Sequence, residues 1–330
     1  MRITTKSIMQ GYNRNLNLAL GRWNTAQNRV LTQRNFNTIA EDPAAANRAF
    51  QLRRQFRDNA TQMEMTLQTQ SLMDEVTSSA MQISNIITTT VNPDALKALN
   101  GTSSESERKT YAETLRGMQQ SIVLSANSQV SGRYLFGGTS TKEPPFVLSE
   151  DGKTLTYRGL DVNDEAAMEP LTKDALYIDL GFGIVEKDGK IIENSAFNSA
   201  TPGINMLGYG KDAQGYSNNV VVLLGQMADE LESDSFDHEK FRQMVEKFQD
   251  DCVDTITDYE SGLGVKQQFL SGTLTRLEQY NDTLNERITD IEMVDMAEAI
   301  SNYTWQGYAY NAALKVGTNI VSQSLIDFMR

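Results

Sequence analysis

The sequence predicts a mainly α protein: a long antiparallel helical bundle or coiled coil built from both termini, with a β-rich domain inserted between two helical blocks. Three observations carry that expectation. Apolar residues recur at heptad spacing near both ends, Asp-Gly hairpin signals are confined to the middle, and only six prolines occur in 330 residues.

At the N-terminal end, Met9, Tyr12, Leu16, Ala19, Trp23, Ala26 and Val30 recur every three or four residues. This is the stripe of a helix laid along a partner helix. The rest of the segment is Asn, Gln, Thr and Arg, so it has little to bury alone. Asp42 before Pro43 predicts a helix start, with a carboxylate cap and then proline in the first turn. That second helix should run towards Thr90, with Ala46, Ala49, Arg53, Phe56, Ala60, Met63 and Leu67 on one face. "VNPDALKALNGTSSESE" reads as a loop, and a third helix over about 105–130 follows with Tyr111, Leu115, Met118 and Ile122 in rhythm.

"RYLFGGTSTKEPPF" then breaks the periodicity, and Tyr134, Phe136, Gly137, Gly138, Pro144 and Pro145 mark a domain junction. Beyond it, "SEDGKTLTYRG" and "VEKDGKIIEN" each predict a hairpin at Asp-Gly, and "ALYIDLGFGIV" predicts a strand. Helix should resume near Asn218 and again from Asp237. In the last segment Leu270, Leu274, Leu277, Leu284, Ile288 and Ile291 hold a heptad with Asn281 in the seam. After a one-residue skip the stripe continues as Met296, Ile300, Tyr303, Gly307, Tyr310, Leu314, Gly317 and Val321, and after another as Leu325 and Phe328. Such skips alter the supercoil locally, and the first predicts a border near 290–295. The expected division is 1–42 plus 290–330 as a terminal helical domain, 43–138 plus 215–289 as a bundle core, and 139–214 as the inserted β-rich domain.

The net charge is −13, unevenly placed. Residues 1–40 carry Arg2, Lys6, Arg14, Arg22, Arg29 and Arg34 and no acid, whereas 276–298 carry seven acids against Arg276 and Arg287. The two ends are thus complementary, and the basic charges are too scattered for a nucleic-acid patch. No apolar run is long enough for a membrane span, and "MRITTKSIMQGYNRN" lacks the apolar core of a secretory signal. One cysteine and one histidine allow no internal disulfide and no zinc site of Cys and His. Cys252 reads as a small core residue and His238 as a surface residue at a helix start. "GLG" (262–264) and "GYG" (208–210) lack the rest of a phosphate-binding fingerprint. No catalytic, cofactor or metal site is therefore expected. The terminal arms either pair with each other as an intramolecular coiled coil or pack against copies of themselves in an assembly.

Three phrases carry a resemblance. The opening "MRITT" with "NTIAEDPAAANRAFQLRRQF", the junction "GRYLFGGTSTKEPPF", and the ending "DMAEAISNYTWQGYAYNAALKVGTNIVSQSLIDFMR" are similar to the bacterial flagellin superfamily. Within it they resemble the hook-associated proteins of the hook–filament junction, the FlgL type. The match covers about the first 60 residues, 131–146 and the last 60. The resemblance implies a secreted, extracellular structural subunit of the flagellum, exported by the type III route and self-associating in a ring. Its implied neighbours are a hook-associated protein on the hook side and flagellin on the filament side, with an export chaperone on the C-terminal helix; nucleic acid and membrane are not among its partners. The assembly residues would be Met9, Tyr12, Leu16, Trp23 and Val30 on the first helix. On the last they would be Met296, Ile300, Tyr303, Leu314, Val321, Leu325 and Phe328. Flagellin itself, or a secreted coiled-coil effector or adhesin, are the alternative readings.

Overall fold

The computed structural model describes residues 5–99, 104–192 and 195–328. The described residues form ten α-helices: α1 (Thr5–Thr32), α2 (Pro43–Ile86), α3 (Asn92–Ala98), α4 (Glu105–Ala126), α5 (Glu165–Thr172), α6 (Ile204–Leu207), α7 (Val220–Glu232), α8 (His238–Lys247), α9 (Val253–Glu292) and α10 (Met296–Phe328). Among the described residues, nine short strands lie between α4 and α6. They are β1 (Gln129–Val130), β2 (Arg133–Tyr134), β3 (Phe146–Leu148), β4 (Leu155–Tyr157), β5 (Leu160–Asp161), β6 (Tyr177–Ile178), β7 (Glu186–Lys187), β8 (Lys190–Ile191) and β9 (Phe197–Asn198). The chain divides into two compact units, Met1–Thr61 with Glu278–Arg330, and Gln62–Leu277.

The long unit has one continuous apolar core. α7 supplies its centre because it is apolar nearly all round: Val220, Val221, Val222, Leu223, Leu224, Met227, Ala228 and Leu231 are all buried. Against it pack Leu115 and Ile122 of α4, Phe241 and Phe248, and the aromatic pair Phe146 and Tyr157 from β3 and β4. A second, small cluster joins Met73, Leu180, Phe197 and Leu270. Caps start the helices as the residue types require. Ser104 and Glu107 form a reciprocal capping box on α4, Asp237 caps α8, and Asn219 caps α7 through Val221 and Val222 N–H.

The expected hairpins are present. β3 pairs antiparallel with β4 across the Asp151-Gly152 turn, and β7 with β8 across Asp188-Gly189. Asp188 and Gly189 have φ of 55° and 73°, the left-handed pair that suits a two-residue hairpin. A third such turn, Arg158-Gly159 with φ of 53° and 83°, joins β4 to β5.

Three expectations need correction. The stretch from Asn92 is helical, not a loop: a π-helical turn at Ile87–Val91 leads into α3. Pro93 cannot donate a backbone hydrogen bond, and it falls just after the π-helical turn, where Asn92 N–H reaches back to the Ile87 carbonyl and the helical ladder changes step. Ile87, Val91, Ala95 and Ala98, buried at helical spacing, hold the turn in place. The strand expected in "ALYIDLGFGIV" is only Tyr177–Ile178, paired with β9. Asp179 ends it by accepting the N–H groups of Gly181, Phe182 and Gly183 at 2.9–3.1 Å. Helix α4 stops at Ala126, because Asn127 turns its side chain to the backbone of Phe146, accepting from its N–H and donating to its carbonyl.

Asn219 also donates to the Gly208 carbonyl at 2.8 Å and is fully buried. Asn219→Ala removes the cap and strands that carbonyl, so denaturant unfolding should show a loss of about 2–4 kcal/mol. Asn219→Ser should restore the cap part, about 1 kcal/mol.

Candidate functional site: the terminal helix pair and the module junction

In the terminal unit α1 and α10 run antiparallel, since Tyr12 meets Ala313 while Trp23 lies between Tyr303 and Tyr310. The Trp23 ring stacks on both tyrosines, with centroids 6.1 and 5.5 Å away and planes within 18°. Gly307, on the α10 turn between those tyrosines, makes room for the indole: a Cβ there would lie 3.3 Å from Trp23 Nε1. One interlock further along, Tyr12 donates to the Ala313 carbonyl at 3.0 Å. A Cβ on Gly317 would lie 2.1 Å from its Oη, a distance no structure tolerates. Each mid-helix glycine costs about 1 kcal/mol relative to alanine. The two stacked pairs, about 0.5–1.5 kcal/mol each beyond their area, offset that cost.

Ala26 of α1 and Ala299 of α10 are buried in the same pair. Leu16, Trp23, Val30, Met296, Tyr303 and Tyr310 are half-buried. Met9, Ile300 and Leu314 are not in the seam: their exposures are 39%, 50% and 40%. A strict heptad drifts about 20° per repeat on a straight α-helix, which carries Ile300 and Leu314 to the rim. Away from α1, α10 exposes Trp305, Tyr308 and Val316, the first two in edge-to-face contact. The side chains of Val321, Leu325 and Phe328 lie outside the described residues.

The turns between these helices are tied together. Asn35 donates from its side chain to the carbonyls of Ile291 and Met293 and from its backbone to that of Glu292. Gln33, at φ 58°, accepts from Val294 N–H. Asp42 caps α2 and Asp295 caps α10, each through two backbone N–H groups. Arg53 and Glu292 form a two-pronged ion pair, and Asn59, buried, donates to Asn281 at 3.5 Å. The charge match expected between the two ends is not made by α1 and α10. From 296 to 318 α10 carries only Glu298 and Lys315, and the acids sit on α9 instead.

At the module junction the aromatic and glycine residues have separate tasks. Phe136 is fully buried, and its carbonyl accepts from Tyr157 Oη at 3.1 Å and Gly203 N–H at 2.9 Å. Burial holds the Tyr157 hydroxyl well above its ordinary range. Gly137 packs so close to the Ser140 carbonyl that a Cβ would stand 1.9 Å from it. Gly138, at φ 64°, lets Asp174 reach Thr139 N–H and Oγ1 while pairing with Arg158. Tyr134 is half-buried in β2, Pro145 is buried, and Pro144 is exposed. Phe136, Gly137, Gly138 and Pro145 are thus buried where the hairpins meet the helical core.

Among the described residues no three His, Cys, Asp or Glu side chains gather as metal ligands, and no helix is long and apolar enough to cross a membrane. Cys252 is buried, and burial pushes its thiol up to about 12. His238 opens α8 at the surface and contacts the Leu99 carbonyl through Nε2.

One unit of paired terminal helices, and one helical unit with short hairpins set into it, are the class of protein this geometry defines. Residues 247–329 match the bacterial flagellin C-terminal helical region. Flagellar hook-associated protein 3 of Salmonella typhimurium is 25% identical over 343 residues, covering 100% of both chains. In solved structures, FlgL of Bacillus cereus aligns over 72% of this chain and 99% of its own at 20% identity, with a TM-score of 0.53. The flagellar hook-associated protein 3 of Legionella pneumophila aligns over 73% and 98% at 13% identity, also with a TM-score of 0.53. The chain is similar to flagellin-family proteins of the hook-associated, FlgL type.

Gly317→Ala should drive Tyr12 out and loosen the α1–α10 pair. In a Trp305→Phe background, emission from Trp23 reports the change, and a shift towards the solvent-exposed spectrum is expected. Tyr12→Ala combined with Gly317→Ala should be milder than the two single effects summed, because the clash exists only when both side chains are present.

Proposed function

We propose that this chain is a structural subunit of the bacterial flagellum that joins the hook to the filament. The observation that carries this reading is the end-to-end correspondence with flagellar hook-associated protein 3, an alignment that spans the full length of both chains. The geometry suits such a role: paired helices α1 and α10, and aromatic surface left exposed on α10. On this reading the chain works by packing and not by catalysis, outside the cell, after export through the type III apparatus. The subunits self-associate in a ring, with a hook-associated protein on one side and flagellin on the other. The exposed face of α10 and the stripe leading to Val321, Leu325 and Phe328 would be covered by neighbours in the assembly and by a chaperone before export. On this reading 1–42 with 290–330 would be the inner arms, 43–138 with 215–289 the bundle core, and 139–214 the outward module.

Deleting the gene in the source bacterium should leave hooks without filaments and unpolymerised flagellin in the medium. Bare hooks with no flagellin in the medium would make this chain the filament protein instead, and normal filaments would overturn the flagellar reading. Removing residues 321–330 should abolish assembly while the circular dichroism of the remaining helices and the unfolding of the 62–277 unit stay unchanged. Filaments formed by the truncated chain would remove the C-terminal stripe from the interface.

A further inference from the structure

In the terminal unit the exposed charges of α2 and α9 lean to opposite signs, with Asp58 alone among the arginines of α2 and Arg287 alone among the acids of α9. On α2, Phe50, Arg54 and Arg57 form an exposed row at spacings of four and three. Glu278, Asp282, Glu286 and Asp290 form an exposed row on α9 at every fourth residue, and Met293, 49% exposed, follows at its end. Among the described residues the ion pair in this unit is Arg53–Glu292, and none of the six charges in the two rows has an ion-pair partner within the chain.

Like charges four residues apart destabilise a helix. The acidic row stacks four of them, and among the described residues the one cation beside it, Arg287, forms no ion pair with any of the four. Solvent-facing rows usually intersperse both signs, and a one-sign row is favoured where a surface of opposite sign approaches. The two rows also match in form. Each is a ridge of i, i+4 or i+3 neighbours, and each carries one exposed apolar side chain, Phe50 (58%) on the basic row and Met293 on the acidic one.

We infer that the acidic row of α9 docks on the basic row of α2 in a second copy of this chain. The inference rests on the assembly reading above and adds which surfaces meet. Each row lies on its helix opposite buried residues, Asn59 on α2 and Leu277 and Leu284 on α9, and the two helices meet through Asn59 and Asn281, so the rows point away from each other. The contact is then heterologous: each copy presents its acids to one neighbour and its arginines to another. Repetition of such a contact gives a ring or a helical array rather than a closed pair.

The test uses the full chain in flagella isolated from the source bacterium. Cys252→Ala removes the native thiol, and Arg54→Cys with Glu286→Cys places one new thiol on each row. Both positions are exposed, so neither substitution disturbs the core. A short bis-maleimide, long enough to span an extended Arg–Glu pair, should convert the double variant into a ladder that continues beyond the dimer. Each single-cysteine variant should stay monomeric, as should the double variant free in solution. A product that stops at the dimer would mean a two-fold contact, and no product would mean that the rows do not meet; either overturns the inference alone. Absence of the chain from the isolated flagella would overturn the flagellar reading, and the inference with it. Independently, Asp282→Lys with Glu286→Lys should reduce the number of attached filaments at least several-fold. Co-expression with Arg54→Glu and Arg57→Glu in a second copy of the gene should restore them.

Discussion

Closeness between α1 and α10 is what the terminal unit depends on, and two glycines permit it. Without a side chain at 307 and 317, aromatic rings from α1 lie directly on the backbone of α10. The segment is otherwise polar, so two interlocking rings replace the broad leucine seam that holds most paired helices. Spacing makes the arrangement selective. Tyr12 and Trp23 are eleven residues apart and their glycines ten. On antiparallel helices rising about 1.5 Å per residue those spans nearly coincide. Sliding the helices by one turn would bring both rings against side chains, so the register is specified by exclusion as much as by attraction.

The longer unit solves the opposite problem. Its core is rich in large apolar side chains, and the difficulty is to attach a module of two- and three-residue strands that have little cohesion of their own. The attachment is made by backbone carbonyls as much as by apolar area. The Phe136 carbonyl holds Tyr157 and Gly203, Leu135 holds Thr201, and Gln119 bridges the Gly152 and Val221 carbonyls. Each bond is shielded from water, which raises the cost of breaking it.

The helices and the hairpins were legible because periodicity and turn chemistry are local. Asp42-Pro43, Asp188-Gly189 and the α1 stripe each state their structure within a few residues. Two kinds of feature were not. The seam on α10 was misread at Ile300 and Leu314, since a heptad count accumulates angular error over two repeats. Interactions between distant residues left no local trace: nothing near Asn35 announces the carbonyls of Ile291 and Met293, and Gly307 and Gly317 explain themselves only beside Trp23 and Tyr12. Pro93 misled because proline breaks a regular helix in its interior, yet here it follows a π-helical turn where the ladder changes step. The opposite charges of 1–40 and 276–298 were visible in the sequence, but not that most of the acids would lie on α9 and not on α10.

The residues that α2 buries change character along its length. From Ala46 to Thr69 they are Ala46, Ala49, Asn59, Thr66 and Thr69, all small or polar; from Met73 onward they are Met73, Val76, Ala80 and Ile83. Apolar area, and with it the free energy of local opening, therefore rises along one continuous helix. Such a helix comes apart like a seam stitched loosely at one end and tightly at the other. Its early turns open and close many times before the later ones open once, and partial unfolding of the chain has a fixed direction.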